Sequence, residues 1–181
     1  VLPLRPRWQP ILFGALIQAI GKRPWSLRAG PDRDRQMRAC ERRAAALGLA
    51  LRWPREWPLG TYSPLAARAA LVADRLGRVR EFSLAAFEQG LGLGRDLSRR
   101  EVVLEATEAA GLDVRAVADG VQRAEVKRQL RSVTEAARRA GVTGIPTVSV
   151  AGELYWGDDR LEDAAAALAA HTAAPDRVQS G

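Results

Sequence analysis

Sulfur and imidazole are almost missing from this chain. Its 181 residues include one cysteine, Cys40, and one histidine, His171. One cysteine allows no intrachain disulfide, no Cys-x-x-Cys redox pair and no thiolate-built zinc site. A Ser-His-Asp triad or a histidine-rich metal site would have to draw on His171, in a weakly patterned tail, which argues against both. Long apolar runs are lacking too. Ile11 to Ile20 is interrupted by Gln18 and followed by Lys22-Arg23, is too short to span a bilayer, and has no small-residue cleavage site. The expectation is a soluble, cytoplasmic protein with no membrane partner.

Hydrophobic residues at 47% suffice for a buried core, and the length suits one domain carrying a sizeable insertion. The formal net charge is +7. The cations are nearly all arginines scattered through alanine-rich helical patterns, without a stripe, a recognition motif or interleaved aromatics. They read as solvated faces rather than a nucleic-acid surface, so no nucleic-acid partner is expected.

Val1 to Arg7 alternates as a short strand would. Pro10 then opens an apolar run from Ile11 to Ile17, closed by Gly21, that predicts a short buried helix, and Lys22 to Pro31 is a loop. Met37, Cys40, Ala44 and Leu47 keep one helix face ahead of a C′ glycine, Gly48. On that stripe Cys40 reads as a small buried core residue, dispensable for activity, rather than as a nucleophile. Trp53 to Pro58 is an extended connector. Ser63-Pro64 starts a helix whose apolar face is Leu65, Ala69, Val72 and Leu76. Ser83 is placed as the cap of a shorter helix through Phe87, and Ser98-Arg99-Arg100-Glu101 as a capping box for a helix reaching Gly111. Gly90-Leu91-Gly92-Leu93-Gly94 reads as a flexible connection, since no strand precedes it as a nucleotide loop would require. Val126, Leu130, Val133 and Ala137 define a long helix up to Gly141. Thr147 to Val150 and Glu153 to Trp156 pair as a hairpin across Ala151-Gly152. Asp158 or Asp159 caps a last helix holding Leu161, Ala164, Ala165 and Leu168, and 171–181 is a flexible tail. The order is that of an α/β fold with a helical insertion.

Two strings carry chemistry. Gly144-Ile145-Pro146-Thr147 sets a proline between a glycine-rich turn and a β-branched strand, where it can simply mark strand entry. Tyr155-Trp156-Gly157-Asp158-Asp159-Arg160 follows the hairpin and opens a helix. Unpaired N–H groups and partial positive charge at a helix start suit a carboxylate, and an adjacent aspartate suits an ammonium. The α-carboxylate and α-amine of a γ-glutamyl group need that combination. The same aspartates also suit plain capping.

Together the strings resemble the Gly-Val-Pro-Thr and Phe-Trp-Gly-x-Asp-Arg of a DsbA-like group in the thioredoxin superfamily. That group holds the glutathione-dependent 2-hydroxychromene-2-carboxylate isomerases and the kappa-class glutathione transferases. Arg7 to Leu16, Leu51 to Pro54 and Ala66 to Ala70 are similar to its other segments. The resemblance implies an α/β, thioredoxin-like domain with a large all-helical insertion. Residues 1–12 and 123–170 would form the thioredoxin-like part and 13–122 the insertion. It implies a cis Ile145–Pro146 bond, with the Ile145 backbone pairing the cysteinyl part of glutathione. Asp158 and Asp159 would meet the γ-glutamyl group. The implied glutathione-binding set is Ile145, Pro146, Thr147, Trp156, Gly157, Asp158, Asp159 and Arg160.

The implied reaction is cis–trans isomerisation of a small aromatic carboxylate in aromatic-compound degradation, and a homodimer is compatible with it. In the family a strand and helix precede the equivalent of Val1 and carry the catalytic serine. This reading therefore expects an N-terminally truncated member and assigns the catalytic role to no residue here. Asp32-Arg33-Asp34-Arg35-Gln36-Met37 stands where the family has a Lys-x-x-Tyr-like stretch of site residues. The alternatives are a DsbA-like dithiol–disulfide oxidoreductase and a non-catalytic fragment of the family. Trp156-Gly157-x-Asp159-Arg160 argues against the first, which has no need of a charged glutathione pocket.

Overall fold

A computed structural model of the chain describes residues 6–58 and 64–173. Most of the strand expected over Val1 to Arg7 lies outside the described residues, and 6–12 has no regular structure. Helix α1 (Phe13–Ala19) follows and buries Leu16 and Ile17. After a 3₁₀ turn at Trp25–Leu27, α2 (Pro31–Ala46) begins on a proline, whose missing N–H is no loss in a first turn.

Five helices form the main body: α3 (Pro64–Arg75), α4 (Val79–Phe87), α5 (Arg100–Ala109), α6 (Val114–Gly120) and α7 (Ala124–Arg139). Ser63, the expected cap of α3, lies outside the described residues, but the helix does start at Pro64. In α3 the run Ala69 to Ala73 is buried without a break, so other helices enclose it on more than one side. Gly120 allows the closest of these approaches, because a Cβ there would stand 2.9 Å from the Val72 side chain. Asp113 caps α6 by accepting the Ala116 N–H at 2.9 Å. Helix α7 turns Val126, Leu130 and Thr134 inward at four-residue spacing. Its Thr134 hydroxyl accepts the Leu12 N–H at 3.0 Å, which fixes the entry to α1. Phe82, Leu71, Val103, Val117 and Val126 are the large side chains at the centre of this core.

A smaller unit completes the chain. Strands β1 (Thr147–Val150) and β2 (Glu153–Trp156) pair antiparallel, from Thr147 opposite Trp156 to Val150 opposite Glu153. Ala151 and Gly152 turn between them with φ of 48° and 89°. Two positive values are what a two-residue type I′ hairpin turn requires. Helix α8 (Leu161–Ala173) covers one face, where Val150, Tyr155 and Ala164 pack with Val148, Ala167 and Leu168. No helix among the described residues is long and apolar enough to cross a membrane.

Several local expectations are corrected. Ser83 lies inside α4, which starts four residues earlier. Ser98 is not the cap of α5: Arg99 holds that position without a side-chain bond. Ser98 instead gives both its N–H and its hydroxyl to the Asp96 carboxylate, at 2.7 and 2.6 Å, since an ionised acceptor two residues away outcompetes capping. The glycine-rich stretch is ordered: Glu88–Gly92 continues α4 as a π turn with Gly90 and Gly92 buried. The Leu91 carbonyl there accepts the Arg52 N–H at 2.6 Å. The stripe on α2 is not a core face, for no α2 residue is fully buried and Leu47 is 56% exposed. Leu76 at the end of α3 is likewise half exposed. His171 is helical, since α8 runs on to Ala173.

Candidate functional site

The two strings flank the open end of the hairpin, so the ladder between β1 and β2 sets their separation. One step beyond the last strand pair, the Gly157 N–H donates to the Pro146 carbonyl at 2.9 Å. That bond joins the proline loop to the acidic turn. The Ile145–Pro146 peptide is cis, as the resemblance implies. Thr147 braces the loop from inside, its hydroxyl donating to the Gly144 carbonyl at 2.8 Å. Gly144 is buried beneath the Trp156 indole, and a Cβ on it would fall on the ring. Trp156 itself is 60% exposed and Ile145 52%. The Ile145 N–H and C=O make no hydrogen bond among the described residues. An exposed backbone pair left open at a sheet end can receive one more extended residue.

The acidic turn departs from simple capping. Gly157, at φ 112°, holds the N-cap position of a 3₁₀ turn, Asp158–Arg160, with no side-chain cap bond. Asp159 folds back over Gly157, so that a Cβ there would meet its carboxylate. Asp158 is taken by a partner from α2: Arg43 Nε lies 2.7 Å from its Oδ2. Arg160 pairs with Asp163 at 2.5 Å and lies over the Tyr155 ring, 5.7 Å from its centroid. Ile145, Pro146, Thr147, Trp156, Gly157, Asp158 and Asp159 thus gather at one end of the hairpin, and Arg160 turns away along α8.

Two residues of this site carry no motif. Hydrogen bonding to Asp158, then the charges of Asp158, Glu162 and Asp159, raise the Arg43 pKa above its ordinary value. Cys40, one turn earlier on α2, is partly exposed rather than buried in a core. Partial burial first, then the charges of Asp158 and Glu41, raise its thiol pKa, so it is a poor nucleophile at neutral pH. The family's Lys-x-x-Tyr-like stretch points to α2, but to its first turns. There Arg33 donates to the Ser26 and Trp57 carbonyls at 3.1 and 3.3 Å and lies over the Trp57 ring. Those turns serve a cluster of Trp25, Trp53 and Trp57 instead. The described residues hold no group of three or more His, Cys, Asp or Glu suited to a metal ion.

A family model for the DSBA-like thioredoxin domain matches residues 4–169. The chain belongs to that family. Among curated proteins it is similar to a 2-hydroxychromene-2-carboxylate isomerase from Sphingobium xenophagum, with 30% identity over 94 residues. That stretch is 52% of this chain and 48% of the relative, so the match spans about half the length of the curated relative. A solved structure of a 2-hydroxychromene-2-carboxylate isomerase superposes with a TM-score of 0.77 at 21% identity, covering 92% of this chain and 82% of that one. The likeness gives this DSBA-like domain the same fold.

Proposed function

We propose that this DSBA-like domain binds glutathione at the Ile145–Pro146 loop and isomerises a conjugated aromatic carboxylate of the 2-hydroxychromene-2-carboxylate type. One observation carries the reading. The open backbone of Ile145 is held next to an acidic turn by the Gly157–Pro146 bond, and a γ-glutamyl-cysteinyl peptide needs both parts. The curated relative's name favours this chemistry over dithiol exchange, as does the charged turn at Asp158 and Asp159, which dithiol exchange does not need.

The residues fit glutathione in charge and in hydrogen bonding. Ile145 would pair its N–H and C=O with the cysteinyl residue, and Asp159 would take the γ-glutamyl ammonium. Thr147 holds the loop in shape through Gly144. The exposed Trp156 indole offers an apolar wall beside the loop. Bound there, glutathione would supply a thiolate capable of reversible addition to a conjugated double bond, the chemistry that cis–trans isomerisation needs. No described residue is assigned the hydrogen bond that would lower the thiol pKa.

The test pairs calorimetric titration with glutathione and an absorbance assay of 2-hydroxychromene-2-carboxylate isomerisation, each with and without the thiol. Binding together with thiol-dependent turnover is expected. A chain that binds no glutathione sinks the reading, whereas binding without turnover leaves the site and removes the reaction.

A further inference from the structure

Arg43 enters the acidic turn from 115 residues away in sequence. It touches Asp158 through Nε alone, and its two terminal nitrogens make no hydrogen bond among the described residues. The side chain is 54% exposed and that of Asp158 52%. A guanidinium held by Nε keeps its other edge free, and that planar fork matches a carboxylate in two parallel bonds. The surroundings make such a cation necessary. Asp158, Asp159 and Glu162 all act on Arg43 electrostatically. Without it, an incoming carboxylate would meet three like charges. Arg160, the other arginine at this turn, is paired with Asp163 and laid against Tyr155.

A purely structural role is the competing account, with Arg43 as a strut between α2 and the hairpin unit. A pair this exposed on both sides stabilises a fold only weakly, because solvent and salt screen it. Recognition makes fuller use of the geometry: Asp158 fixes the orientation of the fork, and the ligand completes it.

We propose that Arg43 is a specificity-determining residue whose terminal nitrogens receive the α-carboxylate of the γ-glutamyl group while Asp159 holds its ammonium. The site thereby selects a ligand that ends in a free α-amino acid. This rests on the glutathione reading and names the residue that would enforce it.

The experiment compares two ligands by calorimetry on the full chain: glutathione, and 4-aminobutyryl-cysteinylglycine, which lacks only the α-carboxylate. Wild type should prefer glutathione by about tenfold or more, the range of one charge-assisted contact. Arg43→Ala should weaken glutathione binding by about that factor, leave the analogue unchanged and so erase the preference. Arg43→Lys should restore part of it, since an ammonium supplies charge without the fork. Near-ultraviolet circular dichroism checks that each variant keeps its packing. Equal weakening of both ligands by Arg43→Ala would mark a strut and overturn the proposal. So would a preference that survives Arg43→Ala but is lost in Arg160→Ala. A wild type that binds both ligands equally refutes the role of Arg43 while leaving glutathione binding intact. One that binds neither removes the glutathione reading and this inference together.

Discussion

Around Phe82 the helical body buries Leu71, Val103, Val117 and Val126 to 1% exposure or less. The hairpin unit gathers only Val150, Tyr155 and Ala164 at 3–7%, and leaves Ile145 and Trp156 more than half exposed. Burial of apolar area is the main stabilising term, at about 25 cal/mol per Å², so the body sets the stability of the chain. The proposed recognition falls to the smaller unit, where the Ile145 backbone makes no hydrogen bond among the described residues and the Asp159 carboxylate folds over Gly157. Hydrogen bonds along the strand ladder, rather than bulk, give that unit its shape. Stabilising the core and shaping the site therefore fall to different residues, and substitutions can separate them.

The harshest way to probe that division is Phe82→Ala. Truncating a fully buried aromatic costs about 3–5 kcal/mol, and urea unfolding should show a correspondingly lower midpoint. Tyr155→Ala should cost clearly less, because few side chains surround it and its hydroxyl is satisfied by Glu153 at 2.8 Å. If Tyr155→Ala proves the more damaging change, the division is wrong.

Asp159→Ala tests the other side. It should weaken glutathione about tenfold or more by removing one charge-assisted contact, with the urea midpoint unmoved. Unchanged affinity would reduce the acidic turn to a helix start.

Gly144→Ala should lie between stability and recognition. The added methyl must push the Trp156 indole aside, which is tolerable on an exposed ring. Near-ultraviolet dichroism should change and glutathione affinity fall severalfold, while the unfolding midpoint stays close to wild type. A large loss of stability would show that the indole packs as core.

The mildest effect concerns Cys40. With its thiol pKa raised, labelling by a disulfide reagent at neutral pH should be slower than for a free thiol and should speed up as pH rises. Asp158→Asn removes a charge that opposes the thiolate, so labelling at fixed pH should quicken. If the substitution leaves the rate unchanged, Cys40 and Asp158 are not neighbours in solution.

What could be read from the sequence was what short segments dictate. The hairpin, α7, the helix start at Pro64 and the loop at Pro146 all rest on signals a few residues apart. Nothing local indicated that α2 would lack a buried face, because its stripe of Met37, Cys40 and Ala44 is as apolar as a core face. The capping reading of Ser98 failed because Asp96, two residues earlier, competes for the same groups. The glycine-rich stretch looked loose because glycines suit mobile loops as well as tight packing. Here a Cβ on Gly90 would crowd Leu97, so the glycine allows close contact. Arg43 was beyond reach for a different reason: only folding brings it to Asp158.

Helix α2 has one further consequence, on the timescale of hydrogen exchange. None of its residues is fully buried, so opening it exposes little new apolar surface, and its amides should exchange ahead of those of α3 and α7. The arginine of the site therefore rides on a loosely held helix, and a ligand that engages Arg43 would resist that opening. Occupancy would then be recorded in the backbone of α2, as slower exchange along a helix whose peptide groups need not touch the ligand.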